Sequence, residues 1–259
     1  MSSTDRGIHY EVRDGIGQLT FDRPQARNAM TFAAYERLYE IALAANEASG
    51  LRALVLSGSG KAFVAGTDIA EFTGFSEAQA IEYEATMDRV LGALEAVRVP
   101  TIAAIGGATT GGGLAIASAC DLRVASADAT FGMPIARTLG NCLSLANLVR
   151  LASLIGIART KELIFTARLV QSDEALRIGL VHEVVPAEAL AARAEELART
   201  AAGFAPLTLW ATKEGLRRVR ERMLPDEGRD LVLLCYTSAD FREGVSAFTG
   251  KRKPVWRGR

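Results

Sequence analysis

The sequence predicts an α/β protein in which a parallel sheet is covered by helices on both faces and followed by a helical C-terminal region. Two short apolar segments, at 53–56 and 101–105, lack the polar alternation of a half-exposed strand, and 121–125 is predicted to be a third strand of the same sheet. Such segments are typical of strands buried on both faces of a parallel sheet. Helical sequence separates the first two segments and dominates after about residue 140. This order of elements favours an α/β core that continues into helices.

The first elements are a hairpin and a helix. Alternating segments at 8–12 and 17–21 flank Asp14-Gly15, a pair that favours a tight hairpin turn. Asp22-Arg23-Pro24 ends the second strand, and Thr31 is predicted to cap the helix that follows. The apolar positions of that helix recur with roughly the helical period and are Tyr35, Leu38, Ile41, Leu43 and Ala45.

Two similar units of strand, glycine loop and helix come next. The strand at 53–56 leads into a loop at 58–66, after which Thr67-Asp68-Ile69 opens a helical turn. A helix at 76–97 connects to the strand at 101–105, which leads through Gly111-Gly112-Gly113 into an alanine-rich helix ending at Ala119. The sequence thus predicts two glycine loops at the carboxyl ends of two buried strands.

The remaining chain is predicted to be mostly helical. Helices are expected at 143–155, 158–165, 172–178, 187–202, 207–219 and 226–241. We therefore divide the chain into an α/β core at 1–200 and a helical region at 201–259.

Charge and cysteine usage exclude several classes of protein. Thirty basic and thirty acidic residues cancel, so a nucleic-acid partner is not expected, and Lys251-Arg252-Lys253 is interpreted as a solvated tail. Three widely spaced cysteines form neither a metal-binding pattern nor a disulfide framework, which favours a reducing cytoplasm. The N-terminus does not resemble a signal peptide, and no apolar segment is long enough to suggest a membrane span.

The glycine loop at 111–113 is the most informative local feature. It lies between a buried strand and a helix, where unpaired N–H groups and the helix dipole favour negative charge on a ligand. A tight turn or a phosphate site would use the same sequence. The P-loop ending Gly-Lys-Ser/Thr is absent, because Leu114-Ala115 follows Gly113, and the spacing of a dinucleotide site is wrong. A Gly-x-Ser-x-Gly elbow is absent, and the two histidines, His9 and His182, are interpreted as packed or surface residues.

Two such loops suggest a second use, in which each contributes one N–H to the same oxygen. That arrangement is an oxyanion hole, which stabilises the charge that develops on a thioester carbonyl.

Several segments, in order along nearly the whole chain, carry a family resemblance. Residues 58–72 read GSGKAFVAGTDIAEF, and residues 99–121 read VPTIAAIGGATTGGGLAIASACD. Further segments around them are RPQARNA at 23–29, FGMP at 131–134, TAR at 166–168, GLV at 179–181 and REG at 242–244. Together these segments resemble the crotonase (enoyl-CoA hydratase/isomerase) superfamily, an assignment far more specific than any one of them supports.

The resemblance implies a fold, a ligand and an assembly. The fold is crotonase-like, with repeated ββα units in a spiral core and a C-terminal helical region at 201–259 that forms a homotrimer or a dimer of trimers. The ligand is an acyl-CoA thioester, with no metal and no cofactor other than the coenzyme A of the substrate. The enzyme class would be lyase or isomerase.

The resemblance also implies roles for individual residues. The oxyanion donors fall on the N–H groups of Thr67 and Gly112. The path of the adenine and pantetheine groups falls on Gln25, Ala26, Arg27, Ala65, Asp68 and Ile69. Further substrate contacts are expected at Gly111, Pro134, Arg137 and Leu139.

The sequence departs from the family where a hydratase carries its two glutamates. One position holds Ala115 and the other Ile135, and neither side chain can deprotonate water or protonate a carbon. Hydration by two glutamates is therefore not expected. Other polar residues predicted near the acyl group are Asp68, Glu71, Arg137, Thr138, Asn141, Cys142 and Ser144.

Two of the remaining polar side chains carry specific expectations. The hydroxyl of Thr67 is expected to cap the following helical turn. Arg137 would favour an anionic acyl group if its guanidinium lay in an apolar pocket.

Two hypotheses follow. The first is an acyl-CoA enzyme that relies on oxyanion stabilisation and an unidentified proton donor. The second is a non-catalytic acyl-CoA binder, or an oligomeric partner protein, that has lost its acids. An ionisable side chain within reach of the thioester α- or β-carbon would favour the first.

Overall fold

The computed structural model describes residues 6–224 and 228–258. It contains two sheets whose strands alternate along the chain. The larger sheet consists of β1 (Ile8–Arg13), β2 (Ile16–Phe21), β3 (Ala53–Gly58), β5 (Thr101–Ile105), β7 (Leu122–Ser126) and β10 (Glu183–Val185), in that spatial order. The smaller consists of β4 (Ala62–Val64), β6 (Ala108–Thr110), β8 (Thr130–Gly132) and β9 (Val170–Gln171).

Ten helices accompany the sheets in the described residues. They are α1 (Phe32–Glu47), α2 (Glu77–Glu95), α3 (Gly112–Ala119), α4 (Ile135–Thr138), α5 (Leu145–Thr166), α6 (Ser172–Arg177), α7 (Leu190–Ala202), α8 (Pro206–Glu221), α9 (Arg229–Tyr236) and α10 (Ala239–Thr249). No helix among residues 6–224 and 228–258 combines the length and apolar character needed to cross a membrane.

The hairpin and the helix cap predicted for the first elements are confirmed. β1 and β2 pair antiparallel around Asp14 and Gly15, whose φ values of 50° and 77° suit a type I′ turn. The Thr31 hydroxyl accepts a hydrogen bond from the Ala34 N–H (3.1 Å) at the start of α1.

The parallel sheet buried on both faces is also confirmed. β2, β3, β5, β7 and β10 run parallel. Side chains alternate along β3, so that Ala53 and Val55 pack beneath α7, while Leu54 and Leu56 enter the main core. The chain adds one strand to each sheet in turn three times, as β3–β4, β5–β6 and β7–β8, and each pair leads into a helix. This repeat is the ββα unit that the resemblance implied.

The C-terminal helices differ from the predicted ones in one place. The two helices expected at 143–155 and 158–165 are confirmed, because α5 is divided into two helical parts at Gly156, whose φ of 79° and ψ of 157° are not helical. The single helix expected at 226–241 is wrong, because Ser238 starts a new helix by accepting from the Phe241 N–H (2.9 Å). Its predicted start, at 226, lies outside the described residues.

The boundary predicted at residue 200 falls at the end of α7, which still belongs to the core because it covers one face of the larger sheet. Beyond it, α9 and α10 pack back onto the core through an apolar cluster that includes Phe72, Ala80 and Leu139. The C-terminal region therefore encloses part of the space beside α2.

Candidate functional site

Two loops lie side by side at the carboxyl ends of β4 and β6. The Thr110 hydroxyl, at the end of β6, donates to the Ala65 carbonyl (2.7 Å) in the other loop. Gly66 and Gly111 have φ values of +126° and +52°, and a Cβ placed on Gly111 would lie 3.8 Å from the Gly66 Cα. The distance is an ordinary van der Waals contact, so glycine is favoured at both positions by the positive φ values.

Each loop contains one backbone N–H that its own segment does not use. On either side of Thr67, the Gly66 carbonyl accepts from the Met30 N–H (2.9 Å) and the Asp68 N–H donates to the Met30 carbonyl (2.8 Å). The Thr67 N–H therefore points to the opposite side of this segment, because successive N–H groups of an extended chain alternate. Gly112 is the first residue of α3, where an N–H has no acceptor within the helix.

The two residues line one cavity of about 490 Å³. Most of its wall is apolar, with Phe72, Met87, Leu91, Ala115, Met133, Ile135, Leu139 and Leu143. A volume of this size accommodates a small-molecule group, and an apolar wall strengthens any hydrogen bond made inside it.

The structure brings most of the predicted site residues to this cavity. Thr67 and Gly112 line it together with Ala26, Arg27, Ala65, Asp68, Ile69, Gly111, Pro134 and Leu139. The Ala65 N–H donates to the Arg27 carbonyl (3.1 Å), which places the predicted adenine and pantetheine segment beside the first loop. Ala115 and Ile135, at the positions to which the resemblance assigns the two glutamates of a hydratase, are both buried in the cavity wall.

Five of the residues predicted at or near the site lie outside the lining, namely Gln25, Arg137, Glu71, Cys142 and Ser144. Gln25 is exposed in the turn after β2, and Arg137 is exposed on α4. Arg137 was expected to favour an anionic acyl group if it lay in an apolar pocket. It does not lie in one, because α4 turns Arg137 toward solvent while Ile135 faces the cavity.

The capping role expected of Thr67 is wrong. Asp68 caps the following turn by accepting from the Ala70 N–H (3.3 Å), and it also accepts from Arg23 (3.3 Å). The Thr67 hydroxyl instead lies between two phenols, 2.9 Å from the Tyr35 oxygen and 3.0 Å from the Tyr83 oxygen. Burial raises the pKa of Tyr35 to about 12 and that of Tyr83 well above its ordinary value, so both phenols stay neutral.

The sequence reasoning missed one of the two carboxyl groups that line this cavity among the described residues, that of Glu84 on α2. Glu84 is only 6% exposed and lines the cavity. The Tyr236 hydroxyl on α9 donates to Glu84 Oε1, and the Asn141 amide lies 3.2 Å from the Tyr236 oxygen. Burial is the main cause that raises the pKa of Glu84 to about 7, and the Tyr236 hydrogen bond opposes it.

A sequence signal for Glu84 exists in the spacing of α2. The residues Ala80, Met87, Leu91 and Leu94 are buried on one face of this helix. Glu84 lies four residues after Ala80 and three before Met87, so it occupies the same face. An acid in an apolar stripe indicates a buried polar contact or a site.

Metal chemistry has no obvious ligand set here. Among the part of the chain that the structure describes, no three histidine, cysteine, aspartate or glutamate side chains form a group able to hold a metal ion.

Comparisons with known proteins place this geometry among acyl-CoA proteins. A family model described as enoyl-CoA hydratase/isomerase matches residues 11–259. The crotonyl-CoA hydratase of Syntrophomonas wolfei is 34% identical over 251 residues, which span 95% of this chain and 96% of that protein. The short-chain-enoyl-CoA hydratase of Clostridium acetobutylicum is 35% identical over 251 residues, 94% of each chain.

Solved structures of acyl-CoA enzymes are also similar to this chain in fold. An enoyl-CoA hydratase/carnithine racemase from Magnetospirillum magneticum has a TM-score of 0.80 at 30% identity, covering 98% of this chain and 96% of that chain. Methylmalonyl CoA decarboxylase complexed with 2S-carboxypropyl CoA has a TM-score of 0.90 at 26% identity, covering 100% of both chains.

Proposed function

This chain belongs to the enoyl-CoA hydratase/isomerase family of acyl-CoA enzymes, and from that premise we propose that the N–H groups of Thr67 and Gly112 hold the thioester oxygen of its substrate. The observation that carries the proposal is the joining of two glycine loops, each ending in an unshared N–H, at one apolar cavity. Two such donors stabilise the enolate that forms when a thioester loses an α-proton.

The reaction is not hydration by two glutamates. Ala115 and Ile135 give the cavity apolar surface at both family positions, so no carboxylate is available there to activate water. General acid–base groups contribute roughly 10²–10⁴-fold each to a rate. We therefore propose enolate chemistry of the lyase or isomerase type. The same apolar positions favour, as a second candidate, a non-catalytic acyl-CoA binder.

The rest of the substrate would run along the first loop. Arg27, Ala65 and Asp68 all line the cavity. Coenzyme A would extend along them from the two loops toward solvent. No cofactor other than this coenzyme A is proposed.

We also propose that the region at 201–259 mediates a homotrimer or a dimer of trimers in the cytoplasm. None of the side chains of α8 is buried, and it exposes Leu207, Leu216 and Val219. Apolar side chains repeated along an exposed helix are typical of a surface that another copy covers.

The proposal is tested with a panel of acetyl-, crotonyl- and malonyl-CoA. Calorimetry should show binding of at least one thioester, and crotonyl-CoA should be hydrated far more slowly than the turnover on the order of 10³ s⁻¹ reached by efficient enzymes. Absence of binding across the panel would contradict the proposed ligand. Efficient hydration would contradict the proposed chemistry, since neither Ala115 nor Ile135 can activate water.

A further inference from the structure

We infer that Glu84 is the catalytic residue that takes a proton from the acyl chain of the bound thioester and returns it, with Tyr236 as its positioning residue. The inference rests on the proposed function, because it needs a thioester whose oxygen is held by Thr67 and Gly112.

Two carboxyl groups line the cavity within the described residues, and only one is free to act. Asp68 Oδ1 accepts from the Ala70 N–H and Asp68 Oδ2 accepts from Arg23, so each of its oxygens already has a donor. Glu84 is 6% exposed and lies in the same cavity wall as Met87 and Leu91. A carboxyl group buried among apolar side chains is costly for stability and is retained where it is used.

The hydrogen bonds of Glu84 have a fixed direction. The Asn141 amide N–H can only donate, and it contacts the Tyr236 oxygen at 3.2 Å. The Tyr236 hydroxyl then donates its own proton to Glu84 Oε1. Because a carboxylate has about four acceptor positions, this contact orients Glu84 and leaves positions for a proton from the substrate.

The chemistry needs no other reactant. The Glu84 carboxylate forms an O–H bond with the α-proton as the C–H bond breaks. The C–H electron pair becomes the C=C bond of the enolate, and the carbonyl π pair moves onto the oxygen held by the two N–H groups. Return of the proton to the α-carbon restores the thioester, whereas return to a conjugated carbon shifts a double bond.

The groups that influence Glu84 come from four helices and one loop. They are Asp88 and Tyr83 on α2, Tyr236 and Cys235 on α9, Tyr35 on α1, Cys142 in the loop before α5, and the Ser144 backbone at the start of α5. Burial, Asp88 and Cys235 raise the pKa of Glu84, while the donors Tyr236 and Ser144 lower it, with a result of about 7. A carboxyl group with this pKa can both accept and return a proton near neutral pH.

The test follows exchange of the α-protons of butyryl-CoA in D₂O by mass spectrometry, together with butyryl-CoA binding by calorimetry. Glu84→Gln keeps an acceptor for Tyr236 but cannot take the proton, so exchange should fall about 10²-fold or more while binding changes little. The matched control is Glu82→Gln, an exposed glutamate of the same helix outside the cavity lining, which should exchange like the unmodified protein.

A second variant keeps the inference testable if Glu84→Gln does not fold. Tyr236→Phe removes a donor that lowers the pKa of Glu84, so the rise of the exchange rate with pH should move to higher pH. A merely structural tyrosine would leave this midpoint unchanged.

The outcomes separate the two proposals. Absence of butyryl-CoA binding by the unmodified protein would overturn the proposed function and this inference with it. Binding without exchange at any pH, or an unchanged exchange rate in folded Glu84→Gln, would overturn the inference alone. An unmoved midpoint in Tyr236→Phe would overturn the role of Tyr236 and, if Glu84→Gln fails to fold, the role of Glu84.

Discussion

Glu84 lowers the stability of the folded protein at pH values at which its carboxyl group must be ionised. Its surroundings raise its pKa from 4.5 to about 7 in the folded chain. The native state therefore holds this proton over a pH range in which the unfolded state has lost it. The associated stability is fully present below pH 4.5 and is lost as the pH rises through about 7.

Replacement of Glu84 by glutamine should remove this pH dependence. At about 1.4 kcal/mol per pKa unit, the unfolding free energy of Glu84→Gln relative to the unmodified protein should rise by up to about 3 kcal/mol between pH 4.5 and pH 8. Urea unfolding at pH 4.5 and pH 8 measures this, with Glu82→Gln as the control. A difference that does not change with pH would mean that Glu84 titrates normally in the folded protein.

At the scale of single residues, the two glycine loops were easier to predict from the sequence than the role of Glu84. The two glycine loops could be predicted from the sequence, whereas the donor roles of Thr67 and Gly112 came from the family resemblance alone. Glu84 could not be assigned a role from its helix alone, since its environment is created by Tyr236, which is 152 residues away along the chain.

Among the elements, α3 carries the sharpest structural constraint. A Cβ on Gly112 would lie 2.1 Å from the Tyr35 hydroxyl oxygen and 3.1 Å from the Thr67 hydroxyl oxygen. Any side chain there therefore disturbs the phenol beside the first loop. Proline is otherwise tolerated at the first position of a helix, where its missing N–H has no partner within the helix.

A pair of variants in a Tyr35→Phe background separates the clash from the N–H. Tyr35→Phe removes the hydroxyl that a Cβ would meet. In that background Gly112→Ala keeps the N–H and Gly112→Pro removes it, so the second should exchange the α-protons of butyryl-CoA on the order of 10²-fold more slowly than the first. Circular dichroism checks that both fold. Equal rates in two folded variants would show that the Gly112 N–H does not contact the substrate.

The elements also show where sequence patterns are sufficient. β3 and β5 could be predicted because each is a continuous apolar segment buried on both faces. The smaller sheet was missed because its strands have three residues or fewer, which is too short for a periodic pattern. The break between α9 and α10 depends on the single cap at Ser238, within an otherwise helical pattern.

At the scale of the whole molecule, the C-terminal region contributes helices both to the cavity and to the exposed surface. α9 supplies Tyr236 to Glu84, and α8, which precedes α9 along the chain, exposes apolar side chains. Composition and helix periodicity predicted a helical region here, but not that it would help to enclose the cavity.

The central claim is that the loops of β4 and β6 hold a thioester oxygen beside Glu84. A crystal structure with butyryl-CoA bound tests it most directly. We expect the thioester oxygen within about 2.7–3.2 Å of both the Thr67 and Gly112 nitrogens, and the α-carbon facing the Glu84 carboxyl group. A thioester oxygen bound away from these two nitrogens would contradict the account.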